Sequence, residues 1–227
     1  MTAIAAYRKL CLDVADPTVM GEFWGAVLGR PYRPTDDGEG AVVGPTEQHT
    51  VWMNVVPEPK TVKNRVHLDI YATDLASLER LGATVVQEQQ PGWGWTIMAD
   101  PEGGEFCAFL RDELPRERLH GIGVDCVDEK AQAQWWAGVL GGDVVHDDRG
   151  FSTVEHVPGM PILTYDFSPV PEPKTGKNRV HLDINVPDPQ RLIDAGATLL
   201  EGPTAGHEIQ RSIMADPEGN EFCAFVT

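Results

Sequence analysis

Arginine, histidine and aspartate stand on alternate positions of the segment RVHLDI. The segment occurs twice, as Arg65, His67 and Asp69 and again as Arg179, His181 and Asp183. An imidazole beside a carboxylate can act as a general acid or base, with the carboxylate polarising the ring. In an extended chain alternate side chains share a face, so Val66, Leu68 and Ile70 form an apolar face and the three ionisable groups the opposite one. Ionisable groups buried without partners would each cost several kcal/mol, so that face must line a wet cleft or a paired network. His67, His181, Asp69 and Asp183 are therefore the candidate catalytic residues, and a satisfied structural network is the plain alternative.

The same division recurs in neighbouring segments. Lys9, Cys11 and Asp13 oppose Leu10, Leu12 and Val14; Gly121, Gly123 and Asp125 oppose Ile122, Val124 and Cys126; Glu105, Cys107 and Phe109 oppose Phe106 and Ala108. A curved sheet with polar groups on its concave face is a cup, a shape suited to small molecules. Its candidate ligand-binding residues are Asp13, Asp125, Arg65 and Arg179, with Trp52, Asn54 and Tyr165 from inner strands and Trp93 and Trp95 from the GWGW loop. Planar ligands stack on indole rings, and a cation over one gains about 0.5–2 kcal/mol. Trp24, Trp135 and Trp136, on helices, read as core.

The elements that must position these groups repeat. VPEPKTVKNRVHLDI at 56–70 returns as VPEPKTGKNRVHLDI at 170–184, with Val62 replaced by Gly176. FWGAVLG is answered by WWAGVLG, and IMADPEGGEFCAF by IMADPEGNEFCAF. Each copy reads as two βαβββ units: an alternating strand, a helix opened by Asp-Pro or Asp and closed on Gly, then short strands between turn residues. The fold class is α+β, a tandem duplication of four βαβββ units in curved, cup-shaped mixed sheets. The domains are expected at 1–112 and 120–227, joined by a charged, Pro-containing linker at 113–119. Lys63, Asn64, Lys177 and Asn178 read as structural parts of a crossover, with Lys63 and Arg65 expected to pair with Glu58 or Asp69.

The 227 residues, 41% of them hydrophobic, carry a formal net charge of −17. That charge repels nucleic acid and anionic membrane surfaces and favours neutral or cationic small molecules. The four cysteines show no CxxC spacing, which argues against a disulfide scaffold or structural zinc. No apolar run resembles a signal peptide or a membrane span, so a cytoplasmic location is expected.

The Asp16-Pro17 entry into FWGAVLG, the histidine of RVHLDI, the LGAT and AGAT helix ends and the DPEGNEF turn together resemble the vicinal oxygen chelate superfamily of glyoxalases, bleomycin-resistance proteins and dioxygenases. The resemblance covers both copies. It implies a cup whose metal-dependent versions draw ligands from the first, fourth, fifth and eighth strands of a domain. Carried over, the fifth-strand histidine is His67 and His181. The eighth-strand position falls on Cys107 and Cys223, with Glu105 and Glu221 two residues earlier. Lys9 and Gly121 occupy the first-strand position, and no glutamate occupies the fourth. The expectation is therefore a cup that binds an aromatic or cationic antibiotic or metabolite without the usual metal. If a metal binds, the candidate ions are Zn, Ni, Mn or Fe, held by His67, Glu105, Cys107, His181, Glu221 and Cys223. A metal-dependent lyase, isomerase or dioxygenase and a metal-free acid–base enzyme are the alternatives. The duplication resembles a fused dimer, complete as a monomer or paired again as a homodimer.

Overall fold

The computed structural model describes residues 2–203 and 210–227. The first unit comprises β1 (Ala6–Val14), α1 (Pro17–Leu28), β2 (Tyr32–Pro34), β3 (Gly40–Val42) and β4 (Val51–Val55). The second comprises β5 (Val66–Ala72), α2 (Leu75–Arg80), β6 (Thr84–Gln87), β7 (Thr96–Ala99) and β8 (Glu105–Leu110). The third runs through β9 (Leu119–Cys126), α3 (Glu129–Leu140), β10 (Asp143–His146), β11 (Ser152–Glu155) and β12 (Thr164–Pro169). The fourth has β13 (Val180–Val186), α4 (Gln190–Asp194), β14 (Thr198–Glu201), β15 (Arg211–Ala215) and β16 (Glu221–Val226).

Local chemistry explains the helix boundaries. The Asp16 carboxylate accepts from the N–H groups of Thr18 and Val19 at the start of α1, Pro17 supplies a preset first turn, and Gly29 closes it at φ 67°. Asp74 and Asp128 cap α2 and α3 in the same way.

Two eight-stranded mixed sheets result, and each takes one unit from each repeat. The first sheet has the order β14-β15-β16-β13-β1-β4-β3-β2; the second has the order β10-β11-β12-β9-β5-β8-β7-β6. The junctions are antiparallel, β1 against β13 and β5 against β9, so each cup is made of the outer two or the inner two units. The repeat boundary thus runs between sheets, with copy one contributing β1–β4 to the first and β5–β8 to the second.

The apolar strand faces and the helices share one core. Phe23 and Trp24 of α1 pack edge-on to Phe106 of the other sheet, with centroids 6.1 and 5.3 Å away; Trp136 of α3 meets Phe222 at 5.3 Å. Charged staples join the sheets as well. Glu102 accepts from the N–H groups of Ala15 and Asp16 at 2.7–2.9 Å, and its repeat mate Glu218 does so from Val127 and Asp128. Among the described residues no helix is long and apolar enough to cross a membrane.

Candidate functional site

The concave face of each sheet is built on one copy of RVHLDI. In the second sheet His67 lies opposite Gly123, and Asp69 opposite Gly121 and beside Cys107. The glycines make the room, since a Cβ on Gly123 would sit 2.1 Å from Cε1 of His67. The ligating atoms of His67, Asp69 and Cys107 fall within 4.8 Å of one another. His67 Nδ1 is 2.8 Å from Asp69 Oδ1, yet both atoms are buried and neither makes a hydrogen bond. The N–H direction and the carboxylate oxygen are out of line.

In the first sheet the same positions opposite the motif hold side chains. Cys11 faces His181 and Lys9 faces Asp183. The Lys9 ammonium lies 3.8 Å from Asp183 and 4.1 Å above the centre of the Trp52 ring. His181 Nε2 is 3.8 Å from Asp183, and its Nδ1 is 3.9 Å from Asp13, which Lys177 holds at 2.5 Å.

The two histidines consequently shift in opposite directions. Burial pulls His67 down, but Cys107 and Asp69 outweigh it and hold the ring well above its ordinary value. For His181 burial prevails over Asp13 and Asp183, aided by Lys177 and Arg211, and the ring falls below its ordinary value. Burial raises the Cys107 thiol and lifts that of Cys223 to about 12.

An aromatic wall flanks the second-sheet cup. Trp93 stacks on Trp95 at 5.1 Å, Trp95 lies 5.6 Å from Phe109, and Phe109 meets His120 at 5.1 Å. The Tyr71 hydroxyl is hydrogen-bonded to His120 at 2.9 Å. Asp166 lies on the far side, accepting from Thr153 and Thr164 at 2.6 Å each.

The remaining expected site residues divide between the cups and the crossover loops. Trp52 and Asn54 line the first-sheet cup, where the Asn54 amide reaches Asp13 at 3.4 Å. Tyr165 does not line a cup: it is 3% exposed and packs on Trp136 and Phe167. Its neighbours Thr164 and Asp166 take the concave face, because a strand's side chains change sides at every residue. Glu105 and Glu221 stand apart from the imidazole clusters. They clamp the crossover loops, accepting from Lys60 and the Asn64 N–H, and from Lys174 and the Asn178 N–H. Lys63 pairs with Asp125 rather than Glu58 or Asp69, and Arg65 donates to the Glu172 carbonyl of the opposite loop. Arg179 donates to the Glu58 carbonyl at 2.8 Å. The two loops enclose a cavity of about 580 Å³ whose cations are thus tied into the crossover.

Sequence reasoning misses three ligand-type residues, Asp69, Asp183 and Cys11. The pattern sets Asp69 and Asp183 beside the histidines as polarising partners and Cys11 on a polar face, yet all three belong to groups that could hold a metal ion. The alternation Lys9, Cys11, Asp13 carried that signal for Cys11.

The donor set suits a divalent cation in one cup. Nitrogen, oxygen and sulfur ligands with room for an exogenous one make a transition-metal site. Two ligands about 2.1 Å from one ion and at right angles to each other are about 3 Å apart and do not aim at one another. His67 Nδ1 and Asp69 Oδ1 have that relation. The corresponding cluster of Cys11, His181 and Asp183 has the Lys9 ammonium at its edge, a charge that disfavours a metal ion there.

A family model for a glyoxalase-like domain matches the chain twice, over residues 9–109 and 121–225. Glyoxalase I from Zea mays has the same fold, with a TM-score of 0.71 at 15% identity over 98% of this chain and 92% of that one. A candidate dioxygenase from Bacillus subtilis subsp. subtilis str. 168 follows with a TM-score of 0.67 at 12% identity, covering 100% of this chain and 86% of that one. No curated protein matches the sequence. Both repeats, the paired βαβββ units and the two concave sheets agree with the family match, and the chain belongs to the glyoxalase-like domain family of the vicinal oxygen chelate superfamily, carrying the domain in tandem.

Proposed function

We propose that the second-sheet cup is the working chamber, binding a small planar, oxygen-bearing molecule over a divalent cation held by His67, Asp69 and Cys107. The observation that carries this reading is the buried, unpaired couple of His67 Nδ1 and Asp69 Oδ1 at 2.8 Å. The two atoms attract by charge but are out of hydrogen-bond line, and a shared cation would give each a directed partner. When bound, the ion would supply Lewis-acid polarisation of a ligand oxygen. The chain's own residues do the rest. Trp95 and Phe109 offer ring faces for stacking, Tyr71 and His120 give hydrogen-bonding edges, and the half-buried Asp166, held by Thr153 and Thr164, adds acceptor oxygens on the far side. This reading differs from a metal-free cup because Asp69 completes a ligand trio that counting the family's usual positions left short.

The test is metal analysis of untagged protein, followed by tryptophan-fluorescence titration with planar oxygenated compounds. The expected result is about one divalent ion per chain, lost in His67→Ala and Asp69→Asn and retained in His181→Ala, with quenching that needs Trp95. Absence of a retained ion under every loading condition, or its loss only in His181→Ala, would overturn the assignment.

A further inference from the structure

The unpaired buried atoms of the two cups differ in kind. In the second-sheet cup they are His67 Nδ1 and Asp69 Oδ1, two atoms that can share a cation. In the first-sheet cup two are obligatory donors, Arg8 Nε and Trp52 Nε1, and the third is Asp183 Oδ1, whose carboxylate the Lys9 ammonium approaches. Arginine and indole N–H groups cannot accept, so only an acceptor satisfies them.

The repeat shows how this difference arose. Strand register equates Arg8 with His120, Lys9 with Gly121 and Trp52 with Asp166, and the IMAD alignment equates Arg211 with Trp95. Relative to its counterpart, the first-sheet cup thus gains three cations, loses the carboxylate of Asp166 and gains that of Glu39 at its edge, where Phe151 stands in the other repeat. Arg8 lies 4.3 Å over the Phe225 ring, with one terminal nitrogen on Asn185 at 3.2 Å and the other 3.9 Å from Glu47. Arg211 is exposed, makes no ion pair with the described residues, and is near enough to His181 and Cys223 to influence both. The acids of this cup are already engaged: Asp13 pairs with Lys177, and Asp183 is approached by Lys9. Glu39, at the edge, is pushed toward its neutral form by burial.

We propose that the first-sheet cup is a second, separate binding site for a small oxyanion, a carboxylate or phosphate group, received by Arg8, Arg211, Lys9 and the Trp52 N–H. A guanidinium fork and an indole N–H converging on one anion form charge-assisted hydrogen bonds, the strong kind. The site is independent of the metal reading, because none of its donors belongs to the His67 cluster.

The experiment is isothermal titration calorimetry of the full-length protein with sodium phosphate and, in a separate series, with succinate. The His67→Ala variant serves as a background in which the second-sheet cup is disabled. One saturable site per chain is expected in both backgrounds, and the better of the two anions identifies the source of the oxyanion. Arg211→Ala, a surface change, and Arg8→Gln should each weaken binding about tenfold or more while circular dichroism stays native. Trp52→Phe, which lacks the indole N–H, should weaken binding in the same titration. The proposal is overturned if neither anion saturates below about 10 mM, a range beyond which affinity carries no site specificity. It is equally overturned if Arg211→Ala and Arg8→Gln bind like the parent protein, or if binding disappears in His67→Ala.

Discussion

Val62 and Gly176 hold equivalent positions in the two repeats and meet each other: a Cβ on Gly176 would lie 2.6 Å from Cγ2 of Val62. This contact accounts for the single difference within the repeated VPEPKTxKNRVHLDI segment, since the crossing loops have room for one branched side chain and not two. Gly176→Val should therefore destabilise the protein by about 1–3 kcal/mol through overpacking. Val62→Gly in the same chain should recover most of the loss. Chemical denaturation of the two single variants and the double one closes the cycle, and additive effects would refute a direct contact.

Gly123 is the floor on which the His67 ring rests. In Gly123→Ala the new methyl would occupy the space of Cε1, 2.1 Å away, and drive the imidazole out of the cluster. Metal retention should fall to background, with a stability loss of about 1–3 kcal/mol by thermal melting. Retention equal to that of the parent protein would show that His67 is not a ligand.

Asp100 anchors the DPEG turn, its Oδ1 accepting from the N–H groups of Gly104 and Glu102 at 2.7 and 3.0 Å. Burial pushes its carboxyl up to about 6. Between the ordinary carboxylate value and about 6 the folded state keeps a proton that the unfolded chain has released. This stabilising contribution is full below the ordinary value and is lost as pH rises through about 6. Asp100→Asn retains the acceptor and removes the titration, so it should raise stability at pH 7 by up to about 3 kcal/mol and flatten the profile between pH 4 and about 6. Urea midpoints across that range check it.

The two motif histidines should titrate on opposite sides of the ordinary imidazole value in chelator-treated protein. Nitrogen-edited NMR is expected to find His67 charged above that value and His181 neutral below it. For stability, the His67 contribution is present below the ordinary value and lost as pH rises through its raised one. His181 acts in the opposite sense: as pH falls below the ordinary value the unfolded chain takes up a proton that the folded state refuses, and stability declines. His181→Gln should reduce the acid-side loss, and His67→Gln the alkaline-side loss. Coincident titrations of the two rings would contradict the asymmetry of the cups.

Much of the architecture could be read along the chain. Alternation in RVHLDI set Val66, Leu68 and Ile70 in the core and His67 and Asp69 on the concave face, because strand side chains repeat every two residues. Asp16, Pro17 and Gly29 bounded α1 through capping chemistry that is local to the chain. Tyr165 failed because no flanking pattern fixed the phase of β12, and one residue of phase exchanges the core face for the cup.

Local pattern along the chain defines the unit: its strands, its helix ends, its apolar and polar faces, and its repetition. It could not determine which units share a sheet. β5 and β13 begin with the same VHLDI, so by local pattern β1 has two identical candidate partners. The folded chain pairs β1 with β13 and β5 with β9, and so sets identical motifs against different strands. Opposite Gly121 and Gly123 the imidazole and carboxylate lie 2.8 Å apart beside Cys107, a group that could hold a cation. Opposite Lys9 and Cys11 the carboxylate lies beside an ammonium, and burial, with Lys177 and Arg211, pulls the imidazole below its ordinary value. A side chain's charge depends on the groups packed across from it, and those are set by tertiary pairing, not by the eight residues of KNRVHLDI.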